Sequence, residues 1–175
     1  GTYLIGNDEV ATAVSAALRA GYRHLDTAEG YQNESGVGAA IRQALASEGL
    51  ARSDLFVTTK LWPGNPAWGQ TPKTTESTVT SLDKSLERLG LDHVDLYLIH
   101  APFERDQRLA QWRGLVELKR QGKARTIGVS NFSIQHIEEL KAAGLPMPAV
   151  NQIELHPWSQ KPELVQYLDD HAITR

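Results

Sequence analysis

The chain has 175 residues, no cysteine, 22% charged side chains and a formal net charge of −3 at pH 7. That length supports a single domain over residues 1–175 with a substantial core, and mild acidity without an arginine-rich run argues against nucleic acid or an anionic membrane as partner. The lack of cysteine excludes disulfides and thiolate metal sites, and no apolar run approaches the roughly 18 residues of a membrane span, so a cytoplasmic location is expected.

In chain order, Asn7 is expected to cap a first helix that carries Val10, Val14 and Leu18 on one face and stops at Gly21. A strand over residues 22–26 ends in Asp26, and Tyr31 follows in the loop. Asn33 and Glu34 open a second helix with Val37, Ile41 and Leu45 at helical spacing. Residues 55–61 form a β-branched strand whose exit carries Lys60, and a Pro/Gly-rich loop runs over 63–72, long enough to be functional. A third helix places Val79, Leu82, Leu86 and Leu89 on one side and stops at Gly90.

The strand 94–99 delivers His100 at its end. A fourth helix is expected over roughly 107–121 with Leu109, Trp112 and Val116 inward. The strand 125–129 leads into Ser130 and Asn131, Ser133 caps a fifth helix through Ile134, Ile137 and Leu140, and 149–153 is the fifth full strand. Pro162 starts a sixth helix carrying Leu164, Val165 and Leu168. Residues 1–3 read as the end of an earlier strand, and 173–175 as the start of a later one, as in a piece of a longer protein.

Unbroken alternation of helices with apolar strands implies a parallel sheet covered by helices. An open doubly wound sheet or an eight-stranded (β/α)8 TIM barrel would satisfy it. The former binds its nucleotide through a glycine-rich turn after the first strand, and none is present. Gly36-Val37-Gly38 lacks both the third glycine and a directly preceding strand. A barrel instead gathers functional groups at the C-terminal ends of several strands, as this sequence does with Asp26, Lys60, His100 and Asn131. An incomplete barrel, with a partial first strand and the last two strand–helix units missing, is the expected fold. No His-Glu-x-x-His pair occurs, so no metal site is expected.

Asp26, Tyr31, Lys60 and His100 form a coherent set for carbonyl reduction. A carbonyl that accepts hydride becomes an alkoxide and needs a proton. A tyrosine, ordinarily near pKa 10, is a better acid where a cation stabilises its phenolate, and Lys60 can supply that charge. Asp26 would anchor Lys60, and His100 would orient the carbonyl oxygen. Taken singly, each residue has an ordinary structural explanation; their joint placement at strand ends carries the reading.

Gly21-Tyr22-Arg23-His24-Leu25-Asp26-Thr27-Ala28 followed by Tyr31, Glu34 and Gly38 resembles the first signature of the aldo-keto reductases. Residues 119–132, ending Ile127-Gly128-Val129-Ser130-Asn131-Phe132, resemble the second. Residues 56–62, 95–100 and Val150-Asn151-Gln152-Ile153-Glu154 resemble the family's lysine, histidine and sixth-strand segments, in the family's order. The resemblance implies a barrel enzyme that reduces a small-molecule carbonyl with extended NADPH. NADH stays open, because the segment expected to hold the cofactor phosphates is not in the sequence. It further implies Asp26, Tyr31, Lys60 and His100 as the catalytic tetrad, with Asp26 also beside the nicotinamide ribose. Ser130, Asn131 and Gln152 would hold the carboxamide, Thr2 would lie at the cofactor, and Tyr3 and Trp62 would line the substrate pocket. Ala101-Pro102 stands where many members carry Trp-Pro, so an opened pocket wall is expected there, with Trp62 and Trp68 as the remaining aromatics. The alternative is a barrel that binds nicotinamide as a sensor, or docks a partner, with negligible turnover.

Overall fold

A computed structural model of the chain describes residues 1–47 and 49–175. Helices and strands alternate as α1 (Asn7–Arg19), β1 (His24–Asp26), α2 (Glu34–Ser47), β2 (Phe56–Leu61), α3 (Thr75–Leu89), β3 (Val94–Ile99), α4 (Arg105–Arg120), β4 (Ala124–Ser130), α5 (Ile134–Ala142), β5 (Asn151–Gln152) and α6 (Pro162–Asp170). None of the described helices is long and apolar enough to cross a membrane.

Every strand pairing is parallel, and the sheet order is β1-β2-β3-β4-β5. A doubly wound sheet reverses its order at a switch point, whereas strictly sequential order is barrel winding. The curl of the sheet agrees. Four strand spacings would put β1 and β5 about 19 Å apart in a flat sheet, yet Gln152 Nε2 on β5 donates to Asp26 Oδ2 on β1 at 3.0 Å. The five strands therefore form an arc of a barrel, with both ends bent toward one mouth. Residues 173–175 begin a further rung beside β5, as expected: Asn151 N donates to Thr174 O at 2.8 Å and Thr174 N to Ala149 O at 2.9 Å.

Strand alternation separates two layers. Leu25, Val57, Tyr97, Ile99, Ile127 and Val129 pack outward into one core with Val10, Val14, Leu18, Val37, Ile41, Leu82, Trp112, Leu115, Ile137 and Leu168 from the helices. The opposite face of the strands carries Asp26, Lys60 and Ser130. Burial of the outward set thus dictates which strand residues point into the mouth.

The expected elements are present, with corrections at their edges. Asn7 does not cap α1; that position is Gly6, which offers no side chain. Instead Asn7 Oδ1 accepts from Gly36 N at 3.1 Å and Ser35 Oγ at 2.9 Å, serving the first turn of α2. This is possible because α1 and α2 nearly touch: a Cβ at Gly36 would lie 2.4 Å from Val10 Cγ1 and 2.6 Å from Asn7 O. Gly36→Ala is therefore expected to destabilise the protein by about 1–3 kcal/mol through overpacking, read as a lower urea midpoint.

The first strand is shorter than 22–26, since Tyr22 is exposed at the turn out of α1. Residues 1–3 form no strand, although Thr2 N does donate to Asp26 O at 2.9 Å. The fifth strand is likewise shorter than 149–153. Helix α4 begins earlier than residue 107, and its most buried residues are Arg108, Gln111, Trp112, Leu115 and Leu118, while Leu109 and Val116 are half-buried. Two polar residues take inward positions because loop carbonyls wait there. Arg108 Nη1 donates to Pro102 O and Phe103 O, Arg108 Nη2 donates to Glu139 Oε2, and Gln111 Nε2 donates to Pro63 O and Lys73 O.

Candidate active site

Lys60 lies one residue before the end of β2 and is 1% exposed. Its ammonium donates to Asp26 Oδ1 and Oδ2, both at 2.9 Å, to Thr27 O at 3.0 Å, and toward Tyr31 Oη at 3.3 Å. Burial pulls the Lys60 pKa below its ordinary value, and the charge and hydrogen bonds of Asp26 oppose that. Asp26 closes β1, and Tyr31 ends a short 3₁₀ turn, Glu29–Tyr31. Two strands and one tight turn thus bring the carboxylate, the ammonium and the phenol together.

Tyr31 is pushed up to about 12, by burial first, then by the negative charge of Asp26 and the proximity of a second phenol, Tyr3. The expectation that Lys60 makes Tyr31 more acidic is not met in this geometry, because burial, and after it the Asp26 charge, push the phenol the other way. Tyr31 therefore carries its proton throughout the neutral range.

His100 follows β3 directly, edge-on to Tyr31 (5.4 Å between ring centroids) and to Trp62 (5.6 Å). Burial and then the Lys60 charge lower it to about 4, against a smaller opposing effect of Asp26. The imidazole is neutral at pH 7, and its buried Nδ1 has no partner among the described residues. A group neutral in the fold but ordinarily titrating near 6.5 binds fewer protons folded than unfolded between about 4 and 6.5. Folding stability should therefore fall as pH drops through that window. His100→Gln is expected to flatten this slope, measured as urea midpoints at pH 4.5 and 6.5.

The remaining expected residues fall around the same mouth. Thr2 lies under the site with its hydroxyl turned inward, donating to Asp26 O at 3.1 Å. The exposed ring of Tyr3 rests 5.2 Å from that of Tyr31. Ser130 Oγ donates to Gln152 O at 2.9 Å, and Asn131 Nδ2 donates to His100 O at 3.0 Å. Asn131 has a positive φ of 62°, a conformation that asparagine tolerates better than most residues. A primary carboxamide needs both donors and acceptors. Asn131 Oδ1 and Gln152 Oε1 accept from no described residue, and Gln152 Nε2 is a donor, directed to Asp26 Oδ2 in this structure, so this set carries the donors and acceptors that a nicotinamide carboxamide needs. A cleft of about 700 Å³ opens beside it, lined by Asn131, Ser133, Glu154 and Lys161 between the N-termini of α5 and α6. The tetrad itself lies on the open concave face of the arc.

Sequence reasoning missed three contributors. Asn33 is fully buried: its Nδ2 donates to Thr2 O and Ile5 O, both at 2.9 Å, and its Oδ1 accepts from Thr27 Oγ1 at 2.7 Å. It ties both segments flanking Asp26 to α2. Glu29 Oε2 accepts from Trp62 N at 2.9 Å, and its Oε1 pairs with Lys73 at 3.3 Å. Phe103 packs edge-on against Trp62 at 5.6 Å, filling part of the wall expected to be open at Ala101. Its aromatic character beside Pro102 was the signal available.

Comparison with known proteins follows the same lines. The model of the aldo/keto reductase family matches residues 1–174. Glyoxal reductase from Bacillus subtilis is 42% identical over 174 residues, 99% of this chain and 59% of that protein. Among solved structures, an aldo/keto reductase from Brucella melitensis gives a TM-score of 0.86 at 46% identity, covering 99% of this chain and 64% of that one. A Bombyx mori aldo-keto reductase in complex with NADP gives 0.86 at 39%, covering 97% and 56%. The chain thus spans less than two thirds of the length of each. With the family model matched along nearly its whole length and the barrel winding shared, the chain belongs to the aldo/keto reductase family.

Proposed function

We propose that the protein carrying this chain reduces aldehydes or ketones to alcohols with a nicotinamide cofactor, NADPH by preference, and that Tyr31 supplies the proton. The observation that carries this is the Lys60 ammonium, bonded to both Asp26 oxygens and 3.3 Å from the Tyr31 hydroxyl, beside a neutral His100. The likeness to a glyoxal reductase and to an NADP-bound relative supports the reaction class and the cofactor.

The bound cofactor would supply the hydride. As hydride adds to the carbonyl carbon, the π pair moves to oxygen, and that oxygen takes the proton of Tyr31 Oη. The tyrosinate left behind is stabilised by Lys60, whose charge Asp26 keeps in place. Neutral His100 can donate a hydrogen bond to the carbonyl oxygen and aim it. Ser130, Asn131 and Gln152 would fix the carboxamide, and Tyr3 and Trp62 would border the substrate. The partner is a small-molecule carbonyl compound, and a cytoplasmic location fits the cysteine-free composition and a reducing cofactor. Incubating the full-length protein with NADPH and glyoxal tests the reading; no carbonyl-dependent loss of NADPH absorbance would sink it.

A further inference from the structure

We propose that Glu29 is a positioning residue for the proton transfer: its carboxylate fastens the turn that carries Tyr31 to the exit of β2, and so fixes how closely Tyr31 approaches Lys60. The inference rests on the reduction reading above, because it gives Glu29 a part in delivering the Tyr31 proton.

Tyr31 is carried by a short turn and not by a strand. Past Thr27, whose N donates to Thr58 O at 2.9 Å, the chain leaves the sheet. The backbone bonds of the next residues stay inside the turn, with Tyr31 N donating to Ala28 O and Gln32 N to Glu29 O. The turn closes on Gln32 at a positive φ of 56°, a conformation that a non-glycine residue keeps only where the surroundings impose it. Buried Asn33 holds the chain on one side of the turn. Glu29 holds it on the other.

Glu29 opens the turn and faces β2. Its Oε2 accepts from Trp62 N at 2.9 Å, two residues beyond Lys60, and its Oε1 pairs with Lys73 at 3.3 Å. Lys73 is itself fixed. Its Nζ donates to buried Ser81 Oγ on α3 at 2.9 Å, its N donates to Pro63 O at 2.9 Å, and its O accepts from buried Gln111. The turn is thus tied to β2 and, through Lys73, to α3. It lies close against the β2 exit, since a Cβ at Gly30 would sit 3.2 Å from the Trp62 ring. Among the described residues, the Lys60–Tyr31 bond and these two bonds of Glu29 are the hydrogen bonds that join residues 28–32 to residues 60–74.

Removing the carboxylate strands the Trp62 N–H and frees the turn to shift. A displacement of about 1 Å at reacting groups can cost as much as about a hundredfold in rate. The charged side chain that shifts the Tyr31 phenol is Asp26, so Glu29 acts through placement. Glutamine, whose amide oxygen still accepts from Trp62 N, can therefore replace it.

The test follows single-turnover oxidation of NADPH by glyoxal in the full-length protein, in its Glu29→Ala and Glu29→Gln variants, and in Tyr31→Phe with and without Glu29→Ala. Glu29→Ala should slow the step about tenfold. Glu29→Gln should stay within about twofold of wild type, and NADPH affinity, read by tryptophan fluorescence, should hold in both. In the Tyr31→Phe background Glu29→Ala should cost nothing further, because the group it positions is gone; a merely structural defect would cost the same in either background. Should Glu29→Ala melt early, Glu29→Asp, which keeps the charge but is too short to reach Trp62 N, decides by the same comparison. A wild-type rate in the folded variant, or a loss that persists undiminished in Tyr31→Phe, overturns the proposal and leaves carbonyl reduction standing. No glyoxal-dependent oxidation by the wild type overturns both.

Discussion

Tyr31→Phe is expected to lower kcat for carbonyl reduction by about a thousandfold, the range lost when a positioned general acid is removed. The ring contacts to Tyr3 and His100 survive the substitution, so NADPH binding, followed by tryptophan fluorescence, should persist. The loss belongs in turnover. A variant that reduces glyoxal at the wild-type rate would show that Tyr31 is not the donor. Because Tyr31 sits near 12, wild-type kcat should show no decline across pH 6–9 from loss of its proton. In the proposed mechanism Lys60 stabilises the forming tyrosinate against the burial and the Asp26 charge that raise the phenol pKa.

Removing either half of the Asp26–Lys60 pair should have unequal consequences for stability. Asp26→Ala strands an ammonium that is 1% exposed, and such a loss costs about 3–5 kcal/mol. Lys60→Met leaves a carboxylate that is 18% exposed, still bonded by Gln152 and open to water, so the cost should be smaller. The sign of the pH dependence separates this account from a simple packing defect. Burial already lowers the Lys60 pKa, and Asp26 is what opposes it, so in Asp26→Ala the pKa falls further. The folded variant then binds fewer protons than the unfolded chain below about 10.5, and its stability should rise with pH toward that value. Urea midpoints between pH 6 and 10 would show it. A flat profile would mean that Lys60 has found another partner or water.

Much of this was legible along the chain. The apolar spacing of Val10, Val14 and Leu18, or of Leu82, Leu86 and Leu89, encodes a buried helix face within a few turns, and the structure buries those faces. The alternation within strands makes one set of side chains outward and leaves Lys60 and Ser130 facing the other way. Placing Asp26, Lys60, His100 and Asn131 at strand exits was thus a local inference. The same locality misled at Asn7, where a residue suited to cap its own helix caps its neighbour, because the close approach of α1 and α2 is not written in either segment alone.

What the tertiary structure decided depends on register and curl. Gln152 reaches Asp26 across 126 residues only because the sheet bends. Glu29 meets Trp62 and Lys73, Asn33 meets Thr2, and Phe103 closes on Trp62 and Trp68, because the loops of separate β–α units meet at one mouth. The upward shift of Tyr31 likewise comes from burial in the folded mouth and from the nearby Asp26 charge, neither of which a local stretch of sequence states. By itself the sequence determined the order of elements and the barrel class, and it nominated the four residues of the proposed site, since hydrophobic period and strand-end position are short-range properties. Three-dimensional packing decided how those residues are charged and walled in, because electrostatic and ring contacts act through space between segments far apart in the chain.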